Sequence, residues 1–375
     1  MVNIRTSRSW IEVDLDAITH NLDELSSLLN KNSSLMVVVK AEGYGHGLVE
    51  VAKHCQKMGI EAFAVATIDE GIKLREHGIY GEILVLGYSH PIRAIELHNY
   101  RLIQTIVNRE HARQLNESGH MINVHIKIDT GMHRLGFDLS DYESIKEIYD
   151  YQFIHIQGYF THLCVCDSKR KVDQEYTQKQ IAAFYDLINE LKLRHYDIGK
   201  VHLQSSYGLV NPEINADYAR VGILMYGVYS TFNDYSKVQL DLKPALTIKA
   251  QIAMLHYLTK GASLGYGLTY KVNRDSVIAV IPIGYGDGLP RILSSNGSVL
   301  IKGQKCPIVG RICMDQMLVD VSEISDISDN DLVTVIGQDG TEEIRVEEIA
   351  LEANTISNEI LSRLGSRLPR IYRGG

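Results

Sequence analysis

Leu35-Met-Val-Val-Val-Lys40-Ala-Glu-Gly-Tyr44-Gly-His-Gly47 is the stretch on which the reading of the whole chain turns. Five apolar residues, three of them valine, run straight into a lysine and then into a segment with three glycines. An apolar run this short, with turn residues behind it, reads as a buried strand. Seven more such runs follow: Ala62 to Ala66, Ile83 to Leu86, Leu102 to Ile106, Val124 to Ile128, Ile154 to Tyr159, Val201 to Leu203 and Val221 to Met225. Amphipathic stretches alternate with them, among them Ile18 to Leu29, Val49 to Lys57, Asp69 to Glu76 and Gln178 to Leu193. Eight strand–helix units predict an α/β fold, a (β/α)8 TIM-type barrel, with a doubly wound open sheet as the alternative. In a barrel, Lys40 stands at the C-terminal mouth, the face that carries the chemistry of this fold.

The texture changes after about residue 240. Ala245 to Leu255, Val277 to Ile283, Val299 to Ile301, Met317 to Val321 and Leu332 to Ile336 read as strands, with turn signals at Asn296-Gly297, Lys302-Gly303 and Asp339-Gly340. A helical region follows from Val346 to Leu364. The expected organisation is a barrel over residues 1–238, its first residues packing with the second domain, and a smaller, mostly β domain over 239–375. The length of 375 residues suits two domains, and 45% hydrophobic with 22% charged residues excludes a disordered chain. A net charge of −8 without a basic block argues against nucleic acid. Five scattered cysteines suggest a reducing compartment. No apolar run reaches the roughly 18 residues of a membrane span, and no signal peptide opens the chain, so a cytoplasmic location is expected.

Lysine at a strand end can be desolvated, which lowers its pKa and frees a nucleophilic amine for Schiff-base chemistry. The same residue also reads as a lysine snorkelling to solvent. His202-Leu-Gln-Ser205-Ser206 and Arg220-Val-Gly222-Ile223 lie at the late barrel strands, where hydroxyls and backbone N–H groups commonly bind phosphate. Arg220 alone reads better as a salt-bridged strand end. Together with Lys40 the pattern suggests pyridoxal 5′-phosphate.

Five motifs carry a closer likeness: Trp10-Ile-Glu-Val-Asp14-Leu-Asp16, Val39-Lys40 with Tyr44-Gly-His-Gly, Lys127-Ile-Asp129-Thr-Gly131-Met-His-Arg134-Leu-Gly, Gly284-Tyr285-Gly-Asp287-Gly and Cys313-Met314-Asp315-Gln316. Over essentially its whole length the chain resembles the alanine racemase family. That resemblance implies a pyridoxal 5′-phosphate enzyme in which Lys40 holds the cofactor and is one of two catalytic bases. Tyr266 is then the base on the opposite face, supplied by a second subunit, so a homodimer with shared active sites is implied. Tyr44, Ser206, Gly222 and Ile223 match phosphate-binding positions. Arg134, Tyr285, Met314 and Asp315 match the substrate side, and His162 and Arg220 the ring side. Lys127 matches a lysine that is carbamylated in many relatives. No metal is implied. An arginine at the ring nitrogen cannot give up its proton, so the ring stays unprotonated and suited to simple removal and return of a proton at Cα.

Asn358 departs from the family, which carries tyrosine there. Asparagine leaves more room and brings a donor and an acceptor, so the pocket should accept CH₂OH better than one lined by tyrosine. This is similar to the serine/alanine racemase domains of vancomycin-resistance proteins, which join a membrane-embedded half to the racemase half. The expected activity is therefore serine and alanine racemisation supplying D-amino acids for cell-wall precursors, with any membrane attachment through a preceding segment. A plain alanine racemase, or a non-catalytic cofactor-binding or sensor domain, remain the alternatives. Cys164-Val-Cys166 reads as strand-end or core thiols.

Overall fold

The computed structural model describes residues 7–210, 214–234 and 236–375. Eight parallel strands form one sheet in the order Tyr218–Val221, Ser34–Val38, Ala62–Val65, Glu82–Val85, Ile103–Ile106, Ile122–Asp129, Ile154–Phe160 and Lys200–His202. The two outer members of that order meet again: the Asp217 N–H donates to the Val201 carbonyl at 2.8 Å and the Arg220 N–H to the Gln204 carbonyl at 3.0 Å. The sheet thus curls into the barrel expected from the alternation of strand and helix. Side chains cap several of its helices: Asp14 for Leu15–Ser26, Thr67 for Ile68–Glu76 and Asn108 for Arg109–Glu117. One expected strand lies elsewhere. Val221 to Met225 is not extended, because Gly222 leaves the β region (φ −125°, ψ −98°) and Ile223–Tyr226 coils into a 3-10 turn; the strand is Tyr218–Val221.

Period-two alternation divides the strand residues between two environments. Leu35, Val37, Phe63 and Val65 pack in the main core, while Met36, Val38, Ala62, Ala64, Leu84 and Ile103 form a separate interior cluster with Tyr218. The later strands put polar residues into this interior. His125 and Lys127 alternate on Ile122–Asp129, His202 ends Lys200–His202 two places along the sheet, and Arg220 pairs in register with Met36. One wall of the barrel is aliphatic and the other is cationic and aromatic.

The second body is mostly β. Its main sheet runs Gln304–Pro307, Ser298–Ile301, Leu332–Asp339, Leu246–Gln251, Ser9–Asp14, Arg370–Arg373. The first described strand is therefore an inner strand here, antiparallel to Leu246–Gln251 and parallel to Arg370–Arg373. A three-stranded sheet of Met254–Leu258, Ser276–Ile281 and Met317–Asp320 lies beside it, so the expected run Ala245 to Leu255 is two strands in two sheets. Lys302-Gly303 makes a two-residue hairpin with both residues left-handed (φ 51° and 73°), as a type I′ turn requires. Asn296-Gly297 instead closes the turn Arg291–Leu293, both N–H groups bonding to the Leu293 carbonyl. The expected helix from Val346 to Leu364 is two short helices, Val346–Glu352 and Ser357–Ser362, interrupted near Asn354 in a left-handed conformation. No helix among the described residues is long and apolar enough to cross a membrane.

Candidate active site

A cavity of about 490 Å³ opens at the C-terminal ends of the barrel strands. Ten residues singled out from the sequence line it: Lys40, Tyr44, Lys127, Arg134, His162, Ser206, Arg220, Gly222, Ile223 and Asn358. The last comes from the helix Ser357–Ser362, docked by its Ser357 N–H on the Ser230 carbonyl at 2.9 Å. Tyr266, Tyr285, Met314 and Asp315 are not in the lining. They belong to the β domain, where Tyr266 is 68%, Met314 53% and Tyr285 40% exposed. The Tyr285 and Gly286 N–H groups bond to the Cys313 and Met314 carbonyls at 3.1 and 2.8 Å, so these two segments form one surface.

Lys40 opens an unusual turn. Ala41, Glu42, Gly43 and Tyr44 are all left-handed, with φ between 51° and 59°. For the three non-glycine residues this costs roughly 1–2 kcal/mol each. Such strain persists where surrounding groups over-determine it. Here the Ala41 N–H donates to Glu70 Oε1 at 2.7 Å, the Gly43 N–H to the Val39 carbonyl at 2.8 Å and the Gly47 N–H to the Glu42 carbonyl at 2.7 Å. Buried His46 bonds through Nδ1 to the Tyr44 carbonyl at 2.8 Å and stacks on Tyr226. The turn delivers Lys40 and Tyr44 to the cavity from one side.

Cations dominate the site. Burial, then Arg134 and Arg220, lower the Lys40 amine, with Glu70 acting in the opposite direction. Lys127 is pulled down to about 7 by burial, then Arg220 and Arg134. Arg220 is lowered to about 9, mainly by burial. Among the described residues no carboxylate hydrogen-bonds to Lys40, Lys127 or Arg220. Arg220 is held by backbone carbonyls of Thr161 (2.8 Å), His202 (3.1 Å) and Leu203 (3.1 Å), and reaches His162 Nδ1 at 3.3 Å. It also donates to His202 Nδ1 at 2.6 Å, and His202 Nε2 meets His125 Nδ1 at 2.8 Å. A guanidinium only donates, so His202 carries its proton on Nε2 and passes the bond on to His125. Burial holds both imidazoles neutral, His125 down to about 3 and His202 well below the usual histidine range. Phe160 lies under Lys127 and Arg220 and stacks on His202.

Such a concentration of positive charge calls for anions. A phosphorylated aldehyde and an amino-acid carboxylate would supply them. Gly222 adds a steric test: a Cβ there would stand 2.9 Å from the Tyr44 hydroxyl, so only glycine leaves that edge open. The Gly222 N–H bonds to Ser206 Oγ at 2.9 Å beside it. Lys40 for the aldehyde, Tyr44, Ser206, Gly222 and Ile223 for the phosphate, and Arg220 with His162 for the ring side fit pyridoxal 5′-phosphate.

The structure also brings in residues that sequence reasoning missed. His125, Phe160 and Glu70 sit at or behind the cavity wall. The interior alternation in His125-Ile-Lys127 and Val201-His202 was the available signal for the first; Glu70 had none, because its partners are 29 and 4 positions away. Cys164 and Cys166 follow the strand Ile154–Phe160 in a loop and line the cavity; Cys166 also packs against the main core, as a core thiol would, and burial pushes its thiol up to about 12.

Residues 13–230 match the family model of the alanine racemase N-terminal domain, and 245–372 that of the alanine racemase C-terminal domain. An amino-acid racemase from Enterococcus faecalis is 43% identical over 98% of the chain and 52% of its own length. A serine/alanine racemase from Enterococcus gallinarum is 41% identical over 96% and 51%. The chain spans about half the length of these two relatives. Among solved structures, an alanine racemase from Clostridium difficile 630 superposes with a TM-score of 0.92 at 35% identity, over 98% of this chain and 96% of that one.

Proposed function

Because the chain belongs to the alanine racemase family, we propose that it interconverts the L and D forms of serine and of alanine on pyridoxal 5′-phosphate. The observation that carries the serine half is the Asn358 side chain. Its Oδ1 is buried, has no hydrogen-bond partner among the described residues, and belongs to a residue of the cavity lining that holds Lys40 and Arg134. The carboxamide carries both a donor and an acceptor, which a substrate hydroxyl can use once the side chain turns toward the cavity. Tyrosine, the family's residue at this position, would fill the space that the hydroxymethyl needs.

The cofactor, when bound, draws electrons from Cα and acidifies its hydrogen. The remaining steps belong to the protein. Arg134, exposed at the rim, takes the substrate carboxylate. The Lys40 amine, kept weakly basic by burial and by its cationic neighbours, removes or returns the proton on one face. Tyr266 serves the opposite face. Its exposure on the β domain, outside the cavity of its own chain, supports its coming from a second copy, and Tyr285, Met314 and Asp315 lie outside that cavity as well. Removal on one face and delivery on the other inverts the centre.

The test compares kcat/KM for L-serine and L-alanine before and after Asn358→Tyr. Serine turnover is expected to fall relative to alanine by at least about tenfold. An unchanged ratio shows that Asn358 does not set the preference, failure of the unsubstituted protein on serine leaves a plain alanine racemase, and absence of racemisation of either amino acid leaves a cofactor-binding domain without this activity.

A further inference from the structure

Lys40 lies just beyond the last ladder bond of its strand, the Val39 N–H to the Ala64 carbonyl at 3.0 Å. Past that point no backbone hydrogen bond joins the two neighbouring strands among the described residues. The Glu70 carboxylate takes over: Oε1 accepts from the Ala41 N–H and Oε2 from the Ala66 N–H, both at 2.7 Å. One charged group therefore ties the residue after Lys40 to the end of the next strand, and Ala66 itself lines the cavity. The geometry points to Glu70 as a positioning residue for Lys40, whose carboxylate holds the left-handed turn that presents the amine to the cavity. The inference rests on Lys40 being the residue that carries the cofactor.

A simpler role is helix capping, since Glu70 is the third residue of Ile68–Glu76 and Thr67 caps that helix. In a capping box the carboxylate returns to the N–H of the cap residue itself. Glu70 bypasses Thr67, reaching back to Ala66 with one oxygen and across to a different strand end with the other. Charge-assisted bonds to two backbone donors are strong and directional. Glutamine would keep the size but lose the charge and one of the two acceptors. The turn's other end is anchored separately: Arg370 Nε donates to the Gly45 carbonyl at 3.1 Å, while its Nη atoms hold Leu364, Gly365 and Leu368. Removing Glu70 therefore releases the lysine end and leaves the far end tied.

Position and charge can be read separately. Pyridoxal 5′-phosphate is titrated into the cofactor-stripped full chain across pH and followed by absorbance, with thermal midpoints recorded alongside. At alkaline pH the Lys40 amine is neutral in every variant, so affinity there reports position. The pH at which affinity falls away reports amine basicity, which the Glu70 charge raises. Glu70→Gln is expected to bind the cofactor at least tenfold more weakly at alkaline pH and to move the midpoint to lower pH. Glu70→Asp, which keeps the charge, should restore the midpoint more than the affinity. Thr67→Ala, which uncaps the same helix, should lower the thermal midpoint and leave both binding readouts alone. Wild-type binding by Glu70→Gln, or a response matching that of Thr67→Ala, overturns the proposal. Covalent uptake by Lys40→Ala would instead overturn the assignment of Lys40, a separate failure.

Discussion

Lys127 shows how much of this site is set by where one side chain points. It alternates with His125 into the barrel interior, rests on Phe160 at 5.1 Å from the ring centroid, and among the described residues bonds only to the Ile128 carbonyl at 3.2 Å. Its amine is brought to about 7 from an ordinary 10.5, chiefly by burial. Below about 7 both folded and unfolded chains hold the proton, and the fold bears the cost of the buried charge. Between about 7 and 10.5 the unfolded chain binds a proton that the folded chain has lost, so stability rises with pH. Lys127→Met should remove that share of the slope, most visibly as a gain in denaturant midpoint at the acid end for the cofactor-stripped chain. An undiminished slope would show that Lys127 does not titrate there. A neutral amine also reacts with carbon dioxide, so labelled bicarbonate should give a carbamate NMR signal that Lys127→Met lacks. Its absence in the unsubstituted protein would exclude carbamylation.

At the level of single elements, the strand Ser9–Asp14 joins the two ends of the chain. Ile11 is fully buried, faces Ile248 on one side and Arg370 on the other, and precedes a helix that packs on the barrel. Truncating such a side chain leaves a cavity that costs about 2–5 kcal/mol. Ile11→Ala should therefore destabilise the β domain by that amount. Trp10, the single tryptophan, sits beside it with Nε1 bonded to Glu12 Oε1 at 3.0 Å, so its fluorescence reports the loss directly. A denaturation midpoint equal to that of the unsubstituted protein would mean that the strand is not integral to the sheet.

For the whole molecule the decisive matter is that the two proposed bases stand apart in one chain. The cavity has Lys40 and the cationic wall, while Tyr266, Tyr285 and Met314 stand exposed on the other domain. A two-fold assembly can bring the face of one copy over the cavity of another. Lys40→Ala and Tyr266→Phe should each be inactive alone. Mixed in equal amounts and allowed to exchange, they should regain roughly a quarter of the wild-type rate, because half the dimers then carry one intact site. Mixtures that stay inactive after verified subunit exchange would argue that both residues act within one chain.

Local chemistry made much of this protein legible from its residues alone. The apolar run ending at Lys40, the serine pair at 205–206, Arg220 with Gly222, and the β-rich region after residue 240 are all short-range signals, and each motif keeps its meaning wherever the chain carries it. Boundaries were less legible: Val221 to Met225 reads as a strand, but Gly222 bends it away into a 3-10 turn. What only the tertiary structure decided concerns partners distant in sequence. Glu70 meets Ala41, Asn358 reaches the barrel mouth from the far end of the chain, and Arg220 finds two histidines and three carbonyls instead of a carboxylate. The sequence by itself determined which groups the protein has to work with. Burial and direction, which set whether a lysine is a surface cation or a weakly basic amine, arise only when the strands close into a barrel and exclude water from its interior.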